Sequence, residues 1–154
     1  FIGPCIAKKV EAREHRETIN YVLSFEEIMC MLEGKDIKFA EMSGDTAYER
    51  DASKLGLSFP LTAGVSAAVQ DTVAAMGGEV HNAQYCSGLD KCRDTVKAAA
   101  EGKLDCSYIE GMACPNGCID GPDTVGDFHI TKVALTKYAA AAPNKQVAED
   151  KHTK

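Results

Sequence analysis

The sequence contains no tryptophan, few other aromatic residues and no long apolar run. Aromatic residues make up 6% of the 154 positions, and no stretch approaches the roughly 20 apolar residues that span a bilayer. Cations are in the minority, since 17 Lys and Arg face 23 Asp and Glu and leave a formal net charge of −6. We therefore expect neither a membrane protein nor a general binder of nucleic-acid phosphates, which needs a clustered cationic surface.

Cysteine, by contrast, is abundant, and its count of seven is odd. A secreted disulfide framework usually has an even count in a shorter chain. We therefore expect a reduced, cytoplasmic protein in which some thiols bind metal and the others fill the core. The seven residues are Cys5, Cys30, Cys86, Cys92, Cys106, Cys114 and Cys118.

Apolar periodicity predicts strands that alternate with helices over the second half of the chain. A helix is expected over Thr62 to Met76, a strand over Glu79 to Tyr85, a helix over Ser87 to Gly102, a strand over Leu104 to Ile109, and a last helix over Asp127 to Ala141. This alternation predicts an α/β fold with a mainly parallel sheet flanked by helices. In such folds the site lies in the loops beyond the strand ends.

Local signals define some boundaries. Ser24 and Glu27 have the spacing of a capping box, which predicts a helix that begins there and stops at Gly34. Pro143 ends the last helix, so residues 1–142 are interpreted as one globular lobe and residues 143–154 as a polar, loose tail.

The most informative segment is Cys114-Pro-Asn-Gly-Cys118, which follows an apolar strand. Thiolates are soft ligands that suit iron–sulfur clusters or zinc, although structural zinc usually needs a matched second pair. A metal site and two partly buried turn cysteines both remain open on spacing alone. Cys5 adds a third thiol next to the cations of Lys8 and Lys9, which is either a ligand with charge-compensating neighbours or an incidental surface cysteine.

Taken together, these segments resemble a known family. Phe1-Ile-Gly-Pro-Cys-Ile-Ala-Lys-Lys-Val-Glu11 and Tyr108-Ile-Glu-Gly-Met-Ala-Cys-Pro-Asn-Gly-Cys118 are similar to two of the three signature segments of iron-only (FeFe) hydrogenases. Val22 to Glu27 and Ser58 to Val65 also look like family segments that precede helices, and the resemblance extends over residues 1–140.

The resemblance implies one lobe of a two-lobed catalytic domain and a set of site residues. Cys5, Cys114 and Cys118 would bind a 4Fe–4S cluster, with Cys118 bridging to a two-iron unit. Lys8 would hydrogen-bond an iron-bound cyanide, and Met112 would pack against the two-iron unit. The implied reaction is the reversible conversion of two protons and two electrons into dihydrogen, with a ferredoxin-like electron carrier as partner.

The family's remaining signature, a Thr-Ser-Cys-Cys-Pro type segment, has no counterpart in this sequence, which starts at Phe1 without a methionine. We therefore expect an excised piece that lacks its N-terminal lobe, holds no cluster or an incomplete one, and is inactive alone. An apolar face exposed by the missing lobe would favour self-association.

The matched segments also depart from the family pattern, at Gly3, Pro60, Asn116 and Asp120. These departures indicate a divergent, sensory-type member. Two alternatives stay open: a non-catalytic hydrogenase-like protein, either a sensory module or a cluster-assembly carrier, and an unrelated α/β domain whose cysteines are structural.

Several other residues receive structural interpretations. Cys86 and Cys92 lie six positions apart, so they could meet or form an extra site. The preferred interpretation is that they are core or semi-buried thiols, since buried free cysteine packs as a small apolar residue. Cys30 and Cys106 are expected to pack as small apolar residues. Glu110 is interpreted as a hydrogen-bond acceptor of structural importance in preference to a proton relay.

Overall fold

The computed structural model describes residues 1–43 and 52–147. The chain divides into two compact units, one formed by Phe1–Glu49 with Gly121–Asp127 and the other by Arg50–Asp120 with Phe128–Lys154. Within the described ranges, no helix has the length and apolar character that crossing a membrane requires.

The first unit is built from short elements. Helix α1 spans Ala7–Glu14, helix α2 spans Phe25–Glu33, and a single 3-10 turn covers Phe39–Glu41. Ile2 and Leu23, which precede these two α-helices in the sequence, form a one-residue parallel bridge.

The predicted capping box is confirmed at the start of α2. The Ser24 hydroxyl accepts the Glu27 N–H at 3.1 Å, and the Glu27 carboxylate accepts the Ser24 N–H at 2.8 Å. The same carboxylate accepts from Lys9 Nζ at 2.6 Å, which ties α1 to α2. These contacts, the Lys9 hydrogen bond first, lower the pKa of Glu27 below its ordinary value. The helix ends at Gly34, as predicted.

The second unit contains a helix–strand alternation around a parallel strand pair. Its elements are α3 Lys54–Leu57, α4 Gly64–Ala75, β1 Gln84–Ser87, α5 Leu89–Ala100, β2 Ile109–Met112, a 3-10 turn Cys118–Asp120, and α6 Phe128–Ala140. Strands β1 and β2 pair in parallel with Cys86 opposite Gly111 and Ser87 opposite Met112, and α5 is the crossover between them. The α/β class is therefore as predicted, with two strands in the sheet of the described residues.

The helix boundaries agree with the sequence patterns better than the strands do. Helix α4 stops as predicted, because Gly77 adopts φ 79° and the Gly78 N–H reaches the Val73 carbonyl at 2.9 Å. Both strands, however, begin five residues later than predicted. The strands pair where α5 brings the two segments side by side. The paired residues include the polar Ser87 and Glu110, which a prediction based on apolar content leaves out.

Part of the predicted tail lies outside the described residues, namely 148–154. Of the remainder, the Asn144 carbonyl accepts the Lys54 N–H at 2.8 Å, and the Val147 N–H donates to Asp71 Oδ2 at 3.3 Å. The division into a lobe over 1–142 and a loose tail stays a prediction.

Candidate functional site

The Cys114–Cys118 segment forms a tight turn directly after β2. The Gly117 N–H donates to the Cys114 carbonyl at 3.2 Å, and Gly117 forms an antiparallel bridge with Leu61. Gly117 has φ 89°, and a Cβ at this position would lie 2.5 Å from the Pro60 carbonyl oxygen. Only glycine fits both the backbone conformation and the space, so the loop at Pro60 fixes the shape of the turn.

Two side-chain hydrogen bonds stabilise the same turn. Ser87, at the end of β1, donates its hydroxyl to the Pro115 carbonyl at 2.5 Å. The Asn116 amide donates to Asp120 Oδ2 at 2.8 Å. Asn116 and Asp120 are two of the four positions that depart from the family pattern, and here they are partners of each other.

The thiol-bearing residues of this turn lie at the surface. Cys114 is half-buried and Cys118 is exposed. Their donor type and their position on a rigid turn fit ligation of an iron–sulfur cluster, which is held by cysteine thiolates. Cys5 belongs to the first unit and the other two cysteines belong to the second. The predicted set of three thiolate ligands therefore stays a prediction.

Cys5 is half-buried and lies immediately before α1. Its carbonyl accepts the Lys8 N–H at 3.2 Å, so the thiol and Lys8 lie on the same first turn. The Lys8 ammonium forms an ion pair with Glu11, one helical turn further along. The backbone of Lys8 is thus hydrogen-bonded to that of Cys5, while the Lys8 ammonium contacts Glu11. The predicted role of Lys8 toward a bound cyanide stays a prediction.

Glu110, in the middle of β2, is only 5% exposed. Its carboxylate accepts the Ala63 N–H at 2.7 Å and the Ser66 N–H at 2.5 Å, which are backbone donors at the start of α4. Glu110 therefore acts as the cap of α4 from another element, and the predicted structural role is confirmed. Burial raises the pKa of the nearby Tyr108, and the negative charge of Glu110 raises it further.

Met112 ends β2 and is half-buried. Its carbonyl accepts the Gly88 N–H at 2.9 Å and the Cys92 thiol at 3.3 Å, so its backbone is fixed by the start of α5. Its predicted packing against a two-iron unit stays a prediction.

All seven cysteines lie within the described residues, and none forms a disulfide bond. Cys86 and Cys92 meet, with their Sγ atoms 3.6 Å apart. Cys106 is half-buried, but the prediction that Cys30 packs in a core is wrong because this residue is exposed. The described residues of the first unit form two short α-helices and one 3-10 turn, and α2 contains no fully buried residue. Within the described part of each unit, no three His, Cys, Asp or Glu side chains are grouped as ligands of one metal ion.

Comparison with known protein families shows to which family the chain is related. The family described as "Iron only hydrogenase large subunit, C-terminal domain" matches residues 1–122, which is most of the chain. The chain belongs to this family. The match includes Cys5, Cys114 and Cys118 as well as both strands. The family's iron–sulfur character agrees with the thiol-rich turn, and the predicted relationship is confirmed.

Two relatives illustrate the range of the family. The cytosolic Fe-S cluster assembly factor NAR1 of Scheffersomyces stipitis is 34% identical over 71 residues, which cover 42% of this chain and 12% of that protein. A solved FeFe-hydrogenase structure, described in terms of oxygen inactivation through modification and degradation of the H cluster's two-iron subcluster, is 16% identical with a TM-score of 0.56. It matches 97% of this chain and 54% of its own, and it shows the shared fold. The chain thus spans only part of either relative.

Proposed function

We propose that this chain is the cluster-binding portion of an iron-only hydrogenase-like protein. In this proposal Cys5, Cys114 and Cys118 are the thiolate ligands of a 4Fe–4S cluster. The observation that carries the proposal is the rigid turn from Cys114 to Cys118, whose shape depends on the contact between Gly117 and Pro60. A turn fixed in this way presents two thiols without the entropic cost of ordering them when the cluster binds.

The remaining roles follow from the family relationship. Cys118 would bridge to a two-iron unit, Lys8 would donate a hydrogen bond to an iron-bound cyanide, and Met112 would pack against the two-iron unit. When bound, the two-iron unit supplies the metal chemistry that converts protons and electrons reversibly into dihydrogen. The backbone supports the role of Lys8 because its N–H donates to the Cys5 carbonyl, which fixes Lys8 three residues after Cys5.

A second candidate is a non-catalytic, cluster-carrying role in iron–sulfur assembly. The 34% identity with the assembly factor from Scheffersomyces stipitis favours it. The hydrogen bond between Asn116 and Asp120 supports it further, because it takes up positions where the hydrogenase pattern has glycine-rich sequence. In this role the thiolates bind a cluster but no dihydrogen is made.

The test is anaerobic reconstitution of the chain with iron and sulfide, followed by measurement of bound iron, acid-labile sulfide and hydrogen evolution. Bound iron is expected to fall to background in Cys114→Ser, Cys118→Ser and Cys5→Ser, because each variant removes a thiolate ligand. The matched control is Cys106→Ser, which removes a half-buried thiol from outside the turn. Iron that binds to the native chain above background and equally to the Cys118→Ser variant would overturn the proposed ligand set, and so would background iron in the native chain after the segment with the family's remaining cysteine signature is added.

The hydrogen assay separates the two candidates. We expect no hydrogen evolution from this chain alone, since three thiolates leave the cubane one ligand short. When a segment with the family's remaining cysteine signature is supplied together with a ferredoxin-type electron donor, hydrogen evolution would favour the hydrogenase. Bound cluster without hydrogen under those conditions would favour the assembly role.

We also propose that the isolated chain self-associates. Among the described residues of the first unit, nine large apolar side chains are at least half exposed, namely Phe1, Ile2, Ile6, Val10, Tyr21, Met31, Phe39, Met42 and Val125. Apolar surface of this kind favours association in water. Light scattering is expected to show an apparent mass that rises with protein concentration, and a constant monomer mass would contradict the proposal.

A further inference from the structure

Two cysteines that are not among the predicted cluster ligands contact each other next to β2, the strand that precedes Cys114. Cys86 is on β1 and is 8% exposed, and Cys92 is in the first turn of α5 and is half-buried. Their Sγ atoms are 3.6 Å apart, which is close to van der Waals contact between sulfurs. The S–S bond of a disulfide is roughly 2 Å long, so closure needs the two sulfurs to approach each other by less than the length of one such bond.

Both thiols donate hydrogen bonds to the backbone of β2. Cys86 donates to the Glu110 carbonyl at 3.4 Å, and Cys92 donates to the Met112 carbonyl at 3.3 Å. Gly111 lies between these two carbonyls, and a Cβ there would meet Cys92 Sγ at 3.4 Å and Cys86 Sγ at 3.9 Å. The thiol pair therefore occupies the space that opens beneath a residue without a side chain.

The two sulfurs differ in access. Cys86 lines a surface pocket of about 460 Å³ together with Lys91 and Thr95, whereas Cys92 is not part of its wall. Burial raises the pKa of the Cys92 thiol, and its contact with Cys86 adds to the effect. Because the thiolate is the attacking species, the raised pKa makes Cys92 the slower of the two to attack, although it is the more exposed residue. A small reagent in the pocket therefore reacts at Cys86, with Cys92 next to it as the second thiol.

We propose that Cys86 and Cys92 form a redox-active thiol pair that closes to a disulfide by exchange with a low-molecular-weight disulfide. The Cys86 sulfur attacks the reagent's S–S bond, forms a mixed disulfide and releases one small thiol. The Cys92 sulfur then attacks Cys86, the mixed disulfide breaks, and the second small thiol leaves. The protein loses two electrons and two protons, and the reagent gains both as its two thiols.

Closure removes both S–H donors from the carbonyls of β2. Strand β2 leads directly into the Cys114–Cys118 turn, so the position of this turn would change with the redox state of the thiol pair. The disulfide itself does not depend on the proposed function. Only an effect of the disulfide on iron binding rests on that function, and the test below uses the chain without iron.

The experiment is incubation of the metal-free chain with oxidised glutathione under nitrogen, followed by acid quenching, alkylation, trypsin digestion and mass spectrometry. Trypsin cleaves after Lys91 and Arg93, so the disulfide is recognised as the dipeptide Cys92–Arg93 linked to the peptide 55–91. Cys30 is exposed and serves as an internal control for reaction with the reagent. The expected result is this linked peptide as the main intrachain product.

The variants test the assigned order. Cys92→Ser is expected to lose the linked peptide and to trap glutathione on Cys86, while Cys86→Ser should leave Cys92 unmodified. Cys106→Ser should leave the linked peptide unchanged. If Cys86 and Cys92 are both fully alkylated while Cys30 carries glutathione, or if Cys86 is linked mainly to another cysteine, the proposal is overturned. Should a variant fail to fold, the product of the native chain decides alone.

Discussion

The carboxylate of Glu110 accepts the backbone N–H of Ser66 at 2.5 Å, which joins the strand before the Cys114 turn to the first turn of α4. The other carboxylate oxygen accepts the Ala63 N–H. The variant Glu110→Gln keeps one acceptor oxygen, but its amide NH₂ replaces the other and faces one of the two backbone N–H groups without accepting from it. We expect it to lose about 1–3 kcal/mol of unfolding free energy, the cost of leaving a buried polar group without a partner.

Urea unfolding measures this loss, with Glu79→Gln at an exposed position as the matched control. A second readout is the pKa of Tyr108, which the charge of Glu110 helps to raise. Ultraviolet titration is expected to show a lower pKa of Tyr108 in Glu110→Gln, because that contribution is lost while burial remains. An unchanged urea midpoint in this variant would contradict the capping role.

Gly117 is expected to be intolerant of any side chain. Gly117→Ala combines a left-handed backbone with a Cβ 2.5 Å from the Pro60 oxygen. Gly102→Ala is the matched control, because Gly102 has φ 70° and no atom within 4 Å of the added Cβ. The control should lose about 1 kcal/mol for its backbone conformation, and Gly117→Ala should lose about 1–3 kcal/mol more for overpacking.

Denaturant unfolding of both variants checks the difference. Equal losses would mean that the loop at Pro60 moves aside and does not fix the turn.

Acid should weaken the first unit through Glu27. Its pKa in the folded chain is lowered from the ordinary value of 4.5, chiefly by Lys9. The stabilisation is therefore fully present above pH 4.5 and is lost as the pH falls through the lower folded value. Glu27→Gln retains the capping hydrogen bond but removes the charge, so the native chain should be more stable than this variant at neutral pH only.

Urea midpoints of the native chain and Glu27→Gln across the acid range test this sign. Glu26→Gln, at the neighbouring exposed position in the same helical turn, controls for general charge effects. A difference between the native chain and Glu27→Gln that persists at the acid end would show that charge is not the cause.

Asn116 and Asp120 should be energetically coupled. Their hydrogen bond of 2.8 Å joins the middle of the turn to the 3-10 turn after it. A double-mutant cycle with Asn116→Ala and Asp120→Ala is expected to give a coupling of about 1 kcal/mol. The same cycle with Asn116→Ala and the remote Glu79→Ala should be additive within error, and a zero coupling for the first pair would mean that the contact adds no stability.

Local signals in the sequence predicted the helices well because their causes are local. The capping box of Ser24 and Glu27 and the left-handed stop at Gly77 each involve residues within one helical turn. The charged helix α1 had no apolar periodicity that could reveal it. The stability of α1 depends on ion pairs such as that of Lys9 with Glu27, and Glu27 lies 18 positions after Lys9 in the sequence.

The strands were predicted several residues too early because strand pairing depends on contacts between residues that are distant in the sequence. Apolar content favoured residues 79–85 and 104–109, but pairing takes place at 84–87 and 109–112. Tertiary contacts decide this, since Glu110 must reach α4 and Cys86 must meet Cys92. The resemblance of the segments around Cys5 and Cys114 to the family's signatures indicated the family. The glycine requirement at position 117, in contrast, arises from Pro60, 57 residues earlier, and no local pattern reveals it.

The attachment of the Cys114–Cys118 turn to Ser87 and the Pro60 loop also bears on the order of events in maturation. Zinc-finger chains fold only as their metal arrives, so loading and folding are a single event. Here the two sulfurs are already carried on a finished scaffold. Under the proposed function, binding of the iron–sulfur cluster is therefore expected to follow folding of the chain, at a rate set by the cluster donor and not by folding.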